Sequence, residues 1–283
     1  MKPSSKTFLP DQPKKLAKMR ADSQAESDVP KIHSRNLRLQ TRFWEVDLLR
    51  GLAVILMVLF HIAFDLDYFG AARIDVLSGF WFILGRMAAI LFVFLVGVSL
   101  VLSCWRAELQ GQASGFPRRL LKRSLWLLTL AMGITLATYL FIGNGFIVFG
   151  VLHLIGISIL LACPFLRLRS ANAVFGLLFI LIGWYFSTLS FGSPWLIWAG
   201  LAPETFYTLD YFPLFPWFGV VLLGTALGDG LYRGYRRRIE LPDLSRSLMV
   251  RPFALMGKNS LAIYIIHQPA LIAILWLSGV IPR

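Results

Sequence analysis

The sequence predicts an all-α, polytopic transmembrane bundle of about seven spans, N-terminus cytoplasmic and C-terminus outside. Three observations predict it: a charge-poor composition, seven apolar runs of bilayer length, and basic residues gathered into alternate loops. Of 283 residues, 57% are hydrophobic and only 15% are charged, with mean hydropathy +0.67. A soluble domain is about a quarter charged, so this chain lacks the polar side chains to cover a water-facing globule.

Along the chain, residues 1–41 are rich in Lys, Ser, Pro and Asp and hold no apolar run. Such a stretch buries too little surface to offset chain entropy and is expected to be a disordered basic cytoplasmic tail. It lacks the short apolar core and small-residue cleavage site of a secretory signal. A spanning helix needs roughly 20 residues, at ~1.5 Å each, to cross ~30 Å of hydrocarbon. Seven segments qualify: Val46–Phe64, Gly79–Ser103, Leu120–Phe141, Phe146–Phe165, Asn172–Ser190, Tyr211–Gly228 and Asn259–Leu277. Ser193–Ala202 is too short to span and is expected to lie in the interface or re-enter. Cys104 and Cys163 fall near cytoplasmic helix ends, where free thiols are expected.

The charges test this layout. Lys and Arg accumulate in cytoplasmic loops because their translocation is disfavoured. The tail with the start of the first helix holds 11, the 104–124 loop 5, the 166–171 loop 2 and the 229–258 loop 7, so 25 of 28 basic residues share one side. Arg73, Arg86 and Arg283 are the exceptions. The formal net charge of +13 is therefore a topology and anionic-lipid pattern. No nucleic-acid-binding motif accompanies it.

Ionisable groups within hydrocarbon cost about 2.5–3.5 kcal/mol each on insertion scales, so each needs a reason. On a wheel of about 100° per residue, Arg50, His61 and Asp65 fall at about −60°, −40° and 0° from Asp47. These four share a stripe that must face other helices or a polar cavity. His61 and Asp65 are neighbours at i,i+4, and a carboxylate orienting an imidazole is what a general base requires. Arg86 lies two turns into the second span, and His153 lies between Gly150 and Gly156 in the fourth. The last span carries Ser260, Tyr264 and His267 on one face, with Gln268 and Pro269 beside them. A lone buried histidine is also an ordinary structural hydrogen-bonder, and Arg86 could simply bridge to Asp65 or Asp67. No metal-ligand spacing, phosphate loop, dinucleotide fingerprint or nucleophile elbow occurs. Histidine, aspartate and arginine in spans also build proton relays, so a proton-coupled carrier of a small solute is the alternative to an enzyme. A scaffold with degenerate chemistry is a third reading.

The segment RFWEVDLLRGLAVILMVLFHIAFDLDYFG at 42–70 resembles the heparan-alpha-glucosaminide N-acetyltransferase catalytic-domain family. Four later blocks agree in order: FLVGVSLVLS at 94–103, FGVLHLIGIS at 149–158, DYFPLFPWFGVVLLG at 210–224 and GKNSLAIYIIHQP at 257–269. The resemblance covers nearly everything from Arg42 onward. It implies transmembrane acyl transfer, with acetyl-CoA used from the cytoplasm and an amino sugar or other envelope glycan acylated on the far side. The animal enzyme's catalytic histidine lies beyond the first helix, whereas His61 lies within it.

Under that resemblance the catalytic candidates are His61 as base or acyl carrier, Asp65 as its orienting carboxylate, and Arg86 and His153 as stabilisers of developing negative charge. Arg50, Arg118, Arg119, Arg123, Lys258 and His267 are the expected acyl-CoA contacts, guanidinium and ammonium groups being suited to phosphates. The outer 191–211 loop, with Trp195, Trp198, Glu204, Tyr207 and Asp210, suits a sugar carrying an amine. Acetyl-CoA as donor, membrane lipid and the acceptor are the expected partners, with no metal and no nucleic acid. Homo-oligomer formation stays open. The expected location is a bacterial inner membrane.

Overall fold

The computed structural model describes residues 42–190 and 192–281. The expected tail and Arg283 lie outside the described residues. Eight α-helices follow: α1 (Trp44–Tyr68), α2 (Gly79–Leu109), α3 (Phe116–Phe141), α4 (Val151–Phe165), α5 (Asn172–Phe186), α6 (Leu214–Tyr232), α7 (Val250–Lys258) and α8 (Ser260–Leu277). No strand occurs among the described residues; an isolated bridge joins Phe149 to Tyr211. Six helical stretches are long and apolar enough to cross a membrane, and α4 is a shorter apolar helix. All seven expected spans are therefore present as helices, in a membrane protein.

Two departures shape the molecule. The apolar run over 146–165 becomes helical only at Val151, so α4 has 15 residues and rises about 22 Å, less than a bilayer. Residues before it pair instead with the chain entering α6: Leu209 N–H donates to Gly145 O at 2.9 Å and Phe212 N–H to Phe149 O at 2.9 Å. Irregular backbone in a membrane protein is tolerated where its polar groups are satisfied within the protein, and here Thr138, Thr135 and Thr208 side chains add to this pairing by bonding Ile147 N–H, Ile147 O and Phe146 O. The second departure is α7, which the sequence reading left inside a basic loop. Its buried Ala254 and Gly257 lie on the face that packs against α1. The stretch expected in the interface forms a 3₁₀ turn over Pro194–Ala199.

Helix α6 is the hub. It packs along α2 and α5 and touches α4, while α1 packs against α2, α7 and α8, and α3 packs chiefly on α4. Hydrocarbon offers no hydrophobic drive between helices, so close backbone approach through small residues decides which pairs form. A Cβ on Gly97 would overlap the Val221 carbonyl, one on Gly224 the Phe94 carbonyl, and one on Gly257 the Asp47 carbonyl. The apolar core around these crossings includes Val93, Leu100, Leu154, Ile159, Phe218, Val221 and Leu222, all buried.

These contacts separate glycines that pack from glycines that do not. Gly97→Val or Gly224→Val should abolish the monodisperse folded species seen by size-exclusion chromatography in detergent. Gly133, with nothing within 4 Å of a Cβ, is the control. Gly133→Ala should leave that species intact and add about 0.5–1 kcal/mol of stability through helix propensity.

Candidate active site

Helix α8 carries Tyr264, His267 and Gln268 at helical spacing i, i+3 and i+4, so one face presents all three to the bundle. His267 meets His61 of α1, their rings 4.8 Å apart between centroids in an edge-to-face arrangement. One residue on, the Gln268 amide donates to Asp65 Oδ1 at 2.5 Å. Tyr264 lies one turn back, and its hydroxyl pairs with the carboxylate of Asp210, just ahead of α6. Asp210 Oδ2 also accepts the backbone N–H of Val151, at the N-terminus of α4, at 3.0 Å. His153 lies in the first turn of α4. It lines a small cavity of about 10 Å³ together with Gly150, Asp210 and Tyr264, a volume at the lower limit for a single water.

Hydrogen bonds settle the tautomers. His61 Nδ1 lies 2.8 Å from Met57 O, and His267 Nδ1 lies 2.7 Å from Tyr264 O. A carbonyl only accepts, so both neutral rings carry hydrogen on Nδ1 and leave a lone pair on Nε2. His267 Nε2 is buried with no hydrogen-bond partner. His153 is the opposite case. Its Nδ1 accepts the Gly150 N–H at 3.3 Å, so its Nε2 bears the hydrogen and points to Thr135 Oγ1 at 3.5 Å. Two imidazoles are thus poised as bases and one as a donor.

The expected His61–Asp65 partnership takes another form. Both side chains face α8, but His61 meets His267 while Asp65 is taken by Gln268; no hydrogen bond joins His61 to Asp65. Among the described residues, Arg86 has no carboxylate partner: its guanidinium lies over the rings of Phe82 and Trp217, 5.3 and 5.7 Å from their centroids. It therefore sits beside the α2–α6 crossing and outside the His61–His267 contact.

Arg50 donates to Asp47 at 3.1 Å and to Ser99 Oγ of α2. Nearby, the Arg237 fork holds Glu45 through two bonds of 2.7 Å, with the Tyr232 hydroxyl on the same carboxylate at 3.2 Å. This buried network ties the loop after α6 to the start of α1. Arg118, Arg123 and Lys258 are exposed, and Arg119 donates to Gln112. The α3 arginines and Lys258 stand on helices that do not pack substantially against each other.

Asp210 and Gln268 were absent from the expected catalytic set, as was Tyr264. Their signal was present: a carboxylate immediately before the apolar run YFPLFPWFG, and two polar side chains flanking His267 on one helix face. No group of three or more His, Cys, Asp or Glu among the described residues is placed to hold a metal ion.

Residues 42–269 match the family model described as heparan-alpha-glucosaminide N-acetyltransferase, catalytic. The chain belongs to this family. The match ends at Pro269 and thus takes in His61, Asp65, His153, Asp210, Tyr264, His267 and Gln268. It places the protein in a membrane acetyltransferase family. No curated protein and no solved structure matches significantly.

Burial pushes the Asp210 carboxyl up to about 6, against the opposing pull of the Val151 N–H and the Tyr264 hydroxyl. A group that binds its proton more tightly when folded favours the folded state at low pH. That contribution is lost as pH rises from the ordinary carboxylate range through about 6. Between pH 4 and 6 the wild type should lose thermal stability relative to Asp210→Asn as pH increases. Parallel melting curves for the two proteins would show that Asp210 is not the titrating group.

Proposed function

We propose that residues 42–283 form an integral membrane acyltransferase that moves an acetyl group from cytoplasmic acetyl-CoA to an amine on an envelope glycan. The N-terminus would lie in the cytoplasm of a bacterial inner membrane. Family membership supports acetyl transfer, and one observation carries the site assignment. Nε2 of His267 is a buried, unpartnered lone pair beside a second imidazole with the same tautomer. Leaving such an acceptor unsatisfied costs about 1–3 kcal/mol, a cost that a substrate N–H can relieve.

In this reading the acceptor amine attacks the thioester carbonyl carbon. The C–S bond breaks, CoA leaves as thiolate, and the amine's surplus proton passes to Nε2 of His61 or His267. The proton then neutralises the thiolate. His153, with its hydrogen on Nε2, is the donor suited to the developing oxyanion. Asp65 acts at one remove, holding Gln268 and with it the face of α8 that presents His267. The cavity beside His153, at about 10 Å³, is too small for an acyl group, so side chains around Tyr264 must move before one enters, an ordinary gating step. Arg50, Arg118, Arg119, Arg123 and Lys258 are the candidates for the CoA phosphates, reached from the end of the bundle that carries the basic loops.

The test uses inside-out membrane vesicles given acetyl-labelled acetyl-CoA outside and glucosamine within. Label should appear on the luminal amine. His61→Ala should lower its rate by about 10²–10⁴ without loss of folded protein, the range general-base removal produces. Full activity in that variant would remove His61 from the mechanism. Uptake of a solute driven by pH, with no acylation, would favour the proton-coupled carrier instead.

A further inference from the structure

Asp65, one turn beyond His61 on α1, and Gln268, next to His267 on α8, leave a hydrogen unaccounted for. Asp65 is 1% exposed. The Gln268 amide donates to its Oδ1, yet Asp65 Oδ2 and Gln268 Oε1 are both buried without a hydrogen-bond partner among the described residues. An ionised carboxylate only accepts, and so does an amide oxygen. Turning the amide end for end would merely set Oε1 against Oδ1. No rearrangement of these two groups removes the shortage of donors, and an orphaned acceptor in an apolar interior keeps its full desolvation penalty.

No cation makes up the deficit. Helices α2, α7 and α8 pack against α1. On α2, Arg86 lies over Phe82 and Trp217, and Arg106 and Glu108 stand in the last turn. Arg251 and Lys258 of α7 flank its crossing with Asp47 and Gly51, near the start of α1. Helix α8 carries no Asp, Glu, Lys or Arg. On α1 itself, Glu45 is held by Arg237 and Asp47 by Arg50, while Asp67 accepts the Ile74 N–H and Arg73 beyond it is exposed. An ionised Asp65 would be a buried charge without a counter-ion, the arrangement an apolar interior tolerates least.

We infer that Asp65 is a neutral carboxylic acid in the resting protein, its Oδ2–H donated to Gln268 Oε1, so that acid and amide close a ring of two hydrogen bonds between α1 and α8. One proton satisfies both orphaned oxygens. Asp65 and Gln268 are then positioning residues that fix the faces presenting His61 and His267. The absence of charge matters as well. A carboxylate one turn from His61 would stabilise an imidazolium and retain the proton drawn from the amine. A neutral acid exerts no such hold, so either imidazole can release that proton to the leaving thiolate. This consequence rests on the acyl-transfer reading; the proton on Asp65 does not.

The experiment is infrared spectroscopy of the purified full chain at neutral pH without acetyl-CoA. A neutral carboxyl group gives a C=O stretch above the amide band, where an ionised one does not absorb. The wild type should show such a band, Asp65→Asn should lose it, and Asp210→Asn should leave it in place. Gln268→Leu keeps the acid but removes both bonds of the ring, so the band should move to higher frequency, a signature that a merely structural role would not produce. Size-exclusion chromatography in detergent identifies a variant that has unfolded, and either Asp65→Asn or Gln268→Leu then suffices alone. A wild-type spectrum with no such band overturns the inference without any variant. A band that survives Asp65→Asn, or stands unmoved in folded Gln268→Leu, overturns it too, even if glucosamine in vesicles is still acetylated. The expected spectra with no acetylation uphold the protonated pair and sink the acyl-transfer reading.

Discussion

Polar groups buried in an apolar bundle have no water to turn to, and that constraint organises this protein. Each side chain that can ionise or hydrogen-bond within the spans must find a partner on another helix, or be left short at a cost. Helix α8 supplies most of those partners. Its Tyr264, His267 and Gln268 reach Asp210, His61 and Asp65 respectively, so a single helix face ties α1 to the chain entering α6. Glycines complete the arrangement from the other side. By letting α2 and α6 meet at backbone distance, Gly97 and Gly224 hold the hub against which α4 and α5 pack.

The opposite tautomers of the histidines follow from local geometry. His61 and His267 each turn Nδ1 to a carbonyl of the preceding helical turn, which leaves Nε2 free. His153 sits in the first turn of α4, where backbone N–H groups have no helical acceptor, and it accepts one of them from Gly150. A helix interior thus makes a base of imidazole and a helix start makes a donor of it. The late start of α4 is therefore part of the chemistry: were the helix to begin at Phe146, His153 would be in a helix interior and Asp210 would lose the Val151 N–H.

Much of this was legible in the sequence. Each of the seven apolar runs holds a helix, because length and hydropathy leave few other options for such segments. The stripe of Asp47, Arg50, His61 and Asp65 pointed to the interior face of α1, and the three intramembrane histidines were visible. What the wheel could not show was which facing side chain each would meet. His61 and Asp65 stand a turn apart on one helix, yet α8 separates them by offering an imidazole to one and an amide to the other. The 146–150 stretch reads as helix from hydropathy; its pairing with residues 208–212 is a long-range contact that local pattern does not encode. Short α7 escaped because its 9 residues lie in a basic loop, although Gly257 close to Gly51 marks a tight crossing.

The central claim is that His61 and His267 act as one unit. A double-mutant cycle on acetyl transfer, using His61→Ala, His267→Ala and the pair together, addresses it directly. Residues that work jointly give grossly non-additive losses. The double variant should be about as slow as the slower single one. Losses that multiply would mean that the two imidazoles act independently, and the shared site described here would not exist.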